Sequence, residues 1–195
     1  MKPELRPDLR PAVSDEANDP ANDDHTLAVT LSGGGAFGAA HVGVLQVLEE
    51  RGIRPGIVTG TSSGAPAGSG YAAGLDGEAL ERVARGVRWG KSASVRRSRR
   101  TVFVGKGRLS LGLRAAIAGA CRLPPVRVHG RLLADGGMID NVPHTAARKL
   151  GAERVIVVHL HAKWENVRMM RTVTQTADLA SDPSVVLVQP EMERM

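Results

Sequence analysis

A serine between two glycines is the first feature of this sequence that predicts chemistry. Ser62 lies at the centre of Gly60-Thr-Ser-Ser-Gly64, which matches the GxSxG pattern of a nucleophile elbow. Glycines at these two positions favour a sharp turn from a strand into a helix, because side chains there would collide with neighbouring strands. The turn would place the Ser62 hydroxyl at the positive end of the next helix. We therefore predict that Ser62 is a nucleophile and that Gly60 and Gly64 shape its turn.

An aspartate further along the chain is the candidate base for this serine. A serine hydroxyl does not ionise at neutral pH, so a nucleophilic serine needs a neighbouring group that accepts its proton. Asp135 follows an apolar stretch and precedes Gly136 and Gly137. The residue order also permits a Ser-His-Asp triad of the α/β-hydrolase type, in which a histidine would be the base. The candidates for that third member are His144, His159 and His161.

A glycine-rich loop upstream of Ser62 offers backbone N–H groups to a negative charge. The spacing Gly33-x-Gly35-x-x-Gly38 occurs in dinucleotide-binding loops, where the amides bind a pyrophosphate at a helix N-terminus. The same groups could stabilise an oxyanion during acyl transfer. A dinucleotide fold would place an acid at the end of the next strand to bind the ribose hydroxyls, and residues 57–66 contain no acid. The second strand therefore argues against a cofactor loop.

The elements that must position these residues follow from the hydrophobic pattern. The residues His41, Val44, Leu45 and Leu48 fall on one helical face, and Gly52 is placed to end that helix. Pro143 can open a further helix that extends to Leu150. This alternation predicts one α/β domain of three layers, α/β/α, with a mainly parallel central sheet. The predicted strands lie near residues 27–31, 56–60, 131–134, 154–160 and 184–189.

Three motifs in this order resemble the patatin-like phospholipase family, which includes plant patatin and the catalytic domain of neuropathy target esterase. They are GGGxxG after the first strand, GxSxG after the second, and Asp-Gly-Gly after residue 134. The resemblance extends from about Leu27 to Pro190 and includes the flanking segments 43–50, 123–126 and 140–143. It implies a patatin-like form of the three-layer fold.

The resemblance also implies an activity and the residues that perform it. In that family a serine and an aspartate act as a dyad without histidine, and the glycine loop supplies the oxyanion hole. Carried over by position, Ser62 attacks an ester carbonyl and Asp135 accepts its proton. The implied function is hydrolysis of carboxylic esters of lipids, of the phospholipase A or lysophospholipase type, with no cofactor and no metal. The implied oxyanion-hole residues are Gly33, Gly34, Gly35, Ala36 and Gly38.

Two features depart from the family pattern. Phe37 stands where the family usually has Arg or Lys. The segment between the Ser62 helix and Asp135 is shorter than usual, with the loss at about residues 89–109. These departures leave open a catalytically inactive or reduced patatin-like domain that serves as a basic membrane-binding or nucleic-acid-binding module.

Composition divides the chain into an N-terminal tail and one domain. The sequence has 195 residues and 42% hydrophobic content, which suits one domain with a sizeable core. Residues 1–26 contain four prolines, seven acids, three bases and no periodic apolar pattern. We therefore predict a disordered acidic tail at 1–26 and a patatin-like hydrolase domain at 27–195. No apolar run is long enough to span a bilayer and no secretory signal is evident, so we expect a cytoplasmic location.

Positive charge is concentrated in the middle of the chain. Residues 82–134 contain fourteen Lys and Arg residues and no acid. We predict peripheral contact between residues 82–131 and an anionic membrane surface, with a solvated basic face as the simpler alternative. Aromatic residues are too few for base stacking, so we expect no nucleic-acid partner. A short apolar stripe would lie either in the membrane interface or against the sheet, and it comprises Leu80, Val83, Ala84 and Val87.

Two histidines could together bind a metal ion. His159 and His161 lie two positions apart after an apolar run, so on a strand they would share one face. The same motif contains no acid or cysteine to complete a ligand set. We therefore predict no metal site.

Overall fold

The computed structural model describes residues 24–86, 113, 116, 118, 125–128, 131–160 and 174–191. Three sequence-based predictions fall wholly or mostly outside these residues: the acidic tail, the shortening at about 89–109 and the membrane contact of the basic stretch. These three features stay predictions.

The elements alternate between strands and helices along the chain. In chain order the strands are β1 (Asp24–Leu31), β2 (Pro55–Gly60), β3 (Val126–Val128), β4 (Arg131–Leu133), β5 (Arg154–Val158) and β6 (Val185–Val188). The α-helices are α1 (Ala39–Glu50), α2 (Gly64–Ala72), α3 (Gly77–Gly86), α4 (His144–Lys149) and α5 (Thr176–Ser181). Short 3-10 helices cover Gly35–Gly38 and Gly136–Met138.

The central sheet has four parallel strands in the order β2-β1-β5-β6. Val29 in β1 pairs with Val58 on one side and with Ile156 on the other. Neighbouring parallel strands need crossover connections, and α1 lies in the connection from β1 to β2 while α5 lies in that from β5 to β6. The predicted α/β class with a mainly parallel sheet is confirmed.

The prediction that residues 131–134 belong to the central sheet is wrong. β4 pairs antiparallel with β3, and these two strands form a separate sheet. Antiparallel strands need only a short connection, and β4 begins three positions after β3 ends, whereas a parallel strand would need a crossover. The strand itself was identified correctly, but its partner was not.

β1 begins earlier than its hydrophobic pattern indicates. Its first residue, Asp24, donates its N–H to the carbonyl oxygen of Arg54 (3.0 Å), and its carboxylate forms an ion pair with Arg154. The same carboxylate accepts hydrogen bonds from the N–H groups of Thr26 and Leu27. These polar contacts extend the strand beyond the apolar residues from which it was predicted, so residues 24–26, which the sequence analysis assigned to the tail, belong to β1.

Apolar residues cover both faces of the central sheet. On one face Val29 and Leu31 pack in a cluster with Leu45 of α1. On the other face Ala28 packs in a cluster with Leu179 of α5. Successive residues of a strand point to opposite faces, so β1 is buried on both sides and the helices form two outer layers.

The apolar stripe on α3 packs partly against the protein. Leu80 is 4% exposed, and Ala84 packs against the same cluster as α1. Val83 is 48% exposed, and Val87 lies outside the described residues. The packing alternative therefore holds for Leu80 and Ala84. Within the described part of the chain, no helix combines the length and the apolar character needed to cross a membrane.

Candidate functional site

The turn between β2 and α2 holds Ser62 in a strained backbone conformation. Ser62 has a φ of +51° and is the one non-glycine residue with a positive φ in the described ranges. Hydrogen bonds fix the turn: Thr61 N–H donates to the carbonyl oxygen of Leu31 (3.0 Å), and Gly64 N–H donates to that of Thr61 (2.8 Å). Strain of this kind persists only where surrounding contacts enforce it, and it clusters at functional sites.

Both glycines of the turn are required by close contacts. A Cβ on Gly60 would lie 2.5 Å from the carbonyl oxygen of Gly64. A Cβ on Gly64 would lie 2.3 Å from the carbonyl oxygen of Leu31. Both neighbours are backbone atoms, which cannot rotate away as a side chain can. The predicted collision with a neighbouring strand therefore occurs at Gly64, whose Cβ would meet β1, whereas a Cβ on Gly60 would collide within the turn itself.

Ser62 and Asp135 are in direct contact. Ser62 Oγ donates a 2.7 Å hydrogen bond to Asp135 Oδ2. The other carboxylate oxygen, Oδ1, accepts the N–H of Gly137 at 2.8 Å, which fixes the rotation of the carboxylate. Ser62 is 4% exposed and Asp135 is 5% exposed. The carboxylate thus lies where it could accept the serine proton.

The two glycines after Asp135 differ in their surroundings. A Cβ on Gly136 would make ordinary contact with Thr61, at 3.5 Å from its Cγ2. A Cβ on Gly137 would approach Asn141 Oδ1 to 3.0 Å. A Cβ would therefore be crowded at Gly137, whereas the packing around Gly136 has room for one.

The glycine loop contacts the Ser62 turn and presents helix-terminal amides. A Cβ on Gly33 would lie 3.1 Å from Ser62 Cβ, so the two segments are in contact. Gly35 has a φ of +58° and begins the 3-10 helix, and the preceding N-cap residue, Gly34, has no side chain with which to cap it. The first N–H groups of a helix lack acceptors within that helix. The amides of Gly35 and Ala36 therefore have no acceptor within their own helix.

Other residues of the predicted oxyanion hole make close packing contacts. Gly33 N–H donates to the carbonyl oxygen of Asn141 (3.0 Å), so this amide already has an acceptor. A Cβ on Gly34 would lie 2.5 Å from Leu160 Cδ1, and a Cβ on Gly38 would lie 2.4 Å from Ser63 Cβ. Gly33 and Gly38 thus allow close approach of neighbouring segments, and Gly33 does not offer its N–H to a substrate.

The sequence of this chain also matches a family model. Residues 29–115 match the model described as patatin-like phospholipase. The matched range includes the glycine loop and Ser62, and the structure adds the contact between Ser62 and Asp135. A relative named as a patatin-like phospholipase domain-containing protein, which is 30% identical and covers 72% of this chain, decides the assignment. The chain belongs to the patatin-like phospholipase family.

Curated relatives of this patatin-like chain are longer than it is. Patatin-like phospholipase domain-containing protein 6 from Mus musculus is 30% identical over 190 residues, covering 72% of this chain and 14% of the relative. An uncharacterized NTE family protein from Mycobacterium tuberculosis is 27% identical over 223 residues, covering 82% of this chain and 60% of the relative. Lysophospholipase NTE1 from Coccidioides immitis is 28% identical over 188 residues, covering 72% of this chain and 12% of the relative.

The alignment with the mouse relative contains positions that this patatin-like chain lacks. The alignment is 190 positions long, but the 72% of this 195-residue chain that takes part in it is only about 140 residues. The mouse protein therefore has residues within the aligned region for which this chain has no counterpart. Phe37 is the other departure noted in the sequence, and its side chain packs against the apolar cluster that contains Leu45 of α1.

His144, one candidate for a triad, has a partner of its own. Its Nε2 accepts a hydrogen bond from Arg148 Nε at 3.2 Å. Burial lowers the pKa of His144, and the neighbouring Arg148 cation lowers it further. In a triad the imidazole lies between the serine and the carboxylate. Here the Asp135 carboxylate accepts the Ser62 hydroxyl directly.

His159, a second candidate, lies buried at the end of β5. It is 2% exposed, and its Nδ1 forms a 3.1 Å hydrogen bond with Thr176 Oγ1. His161 is the third triad candidate and the residue that could share a strand face with His159, and it lies outside the described residues. Within the ranges that the structure covers, no three His, Cys, Asp or Glu side chains form a group that could hold a metal ion.

Asn141 is a site residue that the sequence analysis did not identify. Its carbonyl oxygen accepts the N–H of Gly33, and its Nδ2 donates to the carbonyl oxygen of Gly33 at 3.3 Å. It is 2% exposed. Residues 140–143 belong to the family resemblance, but their types do not indicate contact with a loop 108 positions away.

Threonines connect the 140–143 segment to β2. Thr61 Oγ1 donates to the carbonyl oxygen of Asp140 (3.1 Å), and Thr59 Oγ1 donates to that of Pro143 (3.3 Å). Buried hydroxyl groups are costly without partners, so these bonds favour one arrangement of the segment. The segment that carries Asn141 is thereby fixed to the strand that leads to Ser62.

Proposed function

We propose that this chain is a serine acyl hydrolase that cleaves carboxylic esters of lipids, of the phospholipase A or lysophospholipase type. The single observation that carries the proposal is the 2.7 Å hydrogen bond from Ser62 Oγ to Asp135 Oδ2. It joins a strained nucleophile turn to a carboxylate whose rotation is fixed by Gly137. Family membership supports the same assignment.

The proposed reaction begins with attack on the ester carbonyl. As Ser62 Oγ bonds to the carbonyl carbon, its proton moves to Asp135 Oδ2, and the carbonyl electron pair moves onto the oxygen. The bond to the alcohol then breaks, and Asp135 returns the proton to the leaving oxygen. Water next attacks the acyl-enzyme with Asp135 as the base. This step releases the carboxylic acid and restores Ser62.

The proposed oxyanion hole consists of backbone amides in the glycine loop. The N–H groups of Gly35 and Ala36 are the first in their 3-10 helix and can donate to the charge that develops on the carbonyl oxygen. A preorganised donor of this type lowers the barrier by about 3 to 4 kcal/mol. Such donors would also hold the carbonyl in line for attack, which adds a positional contribution.

The lipid nature of the substrate is proposed from the relatives. One of them is named as a phospholipase-domain protein and another as a lysophospholipase.

A lipid hydrolase must reach its substrate at a surface. We therefore also propose that this chain is a cytoplasmic enzyme and that it contacts anionic membranes through residues 82–131. Each Lys or Arg near such a surface contributes about 1 kcal/mol. Binding should be stronger to phosphatidylglycerol vesicles than to neutral ones and should fall with salt, whereas equal binding would contradict the membrane contact.

Ester hydrolysis by matched serine variants tests the proposed activity. Purified protein should hydrolyse p-nitrophenyl butyrate and release fatty acid from lysophosphatidylcholine, and Ser62→Ala should abolish both reactions. Ser63→Ala is the matched control, because the buried Ser63 Oγ has no hydrogen-bond partner among the described residues. This variant should keep its activity. A folded protein that turns over neither ester would favour an inactive binding module.

A further inference from the structure

Asn141 holds the glycine loop through both its backbone and its side chain. The N–H of Gly33 donates to Asn141 O at 3.0 Å, and Asn141 Nδ2 donates back to Gly33 O at 3.3 Å. Ser32 Oγ is a second donor to the same Gly33 oxygen, at 3.2 Å. The carbonyl oxygen of Gly33 thus accepts hydrogen bonds from two side-chain donors.

Fixing this carbonyl also fixes the next amide. The peptide unit is planar and trans, so the C=O of Gly33 and the N–H of Gly34 point in opposite directions. Donors that hold the Gly33 oxygen therefore set the direction of the Gly34 N–H and orient the chain where it enters the 3-10 helix.

The packing around Asn141 explains glycines in two separate motifs. A Cβ on Gly33 would lie 2.2 Å from Asn141 Oδ1, and a Cβ on Gly137 would lie 3.0 Å from the same oxygen. The carboxamide therefore occupies space that both glycines leave open. Gly33 belongs to the glycine loop, and the N–H of Gly137 donates to the Asp135 carboxylate. One side chain thus sets the spacing between these two parts of the site.

We infer that Asn141 is a positioning residue, which orients the Gly33–Gly34 peptide and fixes the position of the glycine loop relative to the loop that carries Asp135. The inference rests on the proposed acyl hydrolase function. Asn141 does not contact the reacting atoms in this scheme. Its effect on the reaction passes through the direction of the chain that enters the 3-10 helix, whose first N–H groups, those of Gly35 and Ala36, are the proposed donors.

Replacement of the carboxamide by a carboxyl group separates donation from shape. Asn141→Asp keeps the side-chain size but replaces the Nδ2 donor with an oxygen that repels Gly33 O. We expect kcat for a short soluble ester to fall about 10- to 100-fold, with KM within about twofold of the wild-type value. The ratio of variant to wild-type kcat should rise as the pH falls, because a protonated carboxyl group can donate to Gly33 O.

A second carboxamide provides the matched control. Gln46 Nε2 donates to the carbonyl oxygen of Gly77 at 3.1 Å, between α1 and α3 and outside the site. Gln46→Glu makes the same carboxamide-to-carboxyl change at another glycine carbonyl, adds a repulsion toward Glu81 Oε2, which Gln46 Nε2 contacts at 3.3 Å, and should still leave kcat within about twofold of wild type. A loss of kcat in Gln46→Glu as large as in Asn141→Asp would mean that the effect is a general loss of stability, which overturns the inference.

A double-mutant cycle tests the contact without any assay of activity. Gly33→Ala should strongly destabilise the wild-type protein, because its Cβ would collide with Asn141 Oδ1. In the Asn141→Ala background that oxygen is gone, so the same change should cost much less stability in urea unfolding. Additive losses would overturn the inference.

The two tests also distinguish the inference from the function on which it rests. If wild-type protein hydrolyses esters and Asn141→Asp has an unchanged kcat, the inference fails and the function stands. If wild-type protein is inactive on every ester, the proposed function fails, and the double-mutant cycle still decides whether Asn141 holds the glycine loop.

Discussion

Ser62 and Asp135 are 73 positions apart in the sequence, and their side chains are joined by a 2.7 Å hydrogen bond. Neighbouring contacts hold the two segments together. Thr61, next to the serine, donates from its side chain to the carbonyl oxygen of Asp140 (3.1 Å) and from its backbone to that of Leu31 (3.0 Å). The nucleophile, its carboxylate and the glycine loop are therefore parts of one hydrogen-bonded unit.

The backbone strain at Ser62 predicts an unusual order of stability. At a φ of +51° any residue with a Cβ is strained and glycine is not. Both Ser62→Gly and Ser62→Ala remove the hydroxyl, so they lose the same hydrogen bond to Asp135. Ser62→Gly should therefore be more stable than Ser62→Ala by about 1 kcal/mol in urea unfolding, the reverse of the usual helix and strand order. Equal stability would show that the turn relaxes.

Replacement by alanine should change protein stability in opposite directions at two glycines, because only one of them lies in the closely packed turn at Ser62. Gly64→Ala would bring a Cβ within 2.3 Å of the Leu31 carbonyl oxygen and should destabilise the protein by about 3 kcal/mol or more. Gly43→Ala lies on an exposed position of α1 with nothing within 4 Å of the new Cβ. It should stabilise the protein by about 0.5 to 1 kcal/mol. Thermal unfolding of both variants checks the pair, and a Gly64→Ala protein as stable as wild type would contradict it.

The local parts of this site could be predicted from the sequence, because each depends on residues close together in the chain. The turn at Ser62 follows from Gly60 and Gly64, and the end of α1 follows from Gly52, which has a φ of +65°. The role of Asn141 could not be predicted, because its contact with Gly33 depends on how distant segments pack. The pairing of β4 was missed for a similar reason, since an apolar run indicates a strand but not its partner.

The direct contact between Ser62 and Asp135 predicts that no histidine is essential for hydrolysis. His144 is bonded to Arg148 and His159 to Thr176, so we expect their replacement to act on packing and not on proton transfer. His144→Gln, His159→Gln and His161→Gln should each retain most of the kcat for a short ester. A single histidine variant as inactive as Ser62→Ala would instead establish a triad.

Burial of His144 predicts a loss of stability at mildly acidic pH. Its pKa in the folded protein is lowered from the usual value of about 6.5. As the pH falls, His144 is therefore protonated in the unfolded chain before it is protonated in the folded protein. The free energy of unfolding should consequently decrease as the pH drops below about 6.5. The lowered pKa values of Asp24, Glu81 and Asp182 keep those carboxylates charged in this window.

The check is urea unfolding at about pH 7.5 and about pH 5.5. Wild-type protein should lose stability between the two values, and His144→Gln should lose less, because glutamine does not titrate. The same pH dependence in both proteins would assign the effect to other groups.

The most direct test of the central claim is covalent labelling by a fluorophosphonate, which reacts with activated serines. We expect wild-type protein to be modified at Ser62, as identified by mass spectrometry of the labelled peptide. Ser63→Ala should be labelled at the wild-type rate, Ser62→Ala should not be labelled, and Asp135→Asn should be labelled at a small fraction of that rate. Folded wild-type protein that stays unlabelled, or an Asp135→Asn variant labelled as fast as wild type, would contradict the Ser62-Asp135 dyad.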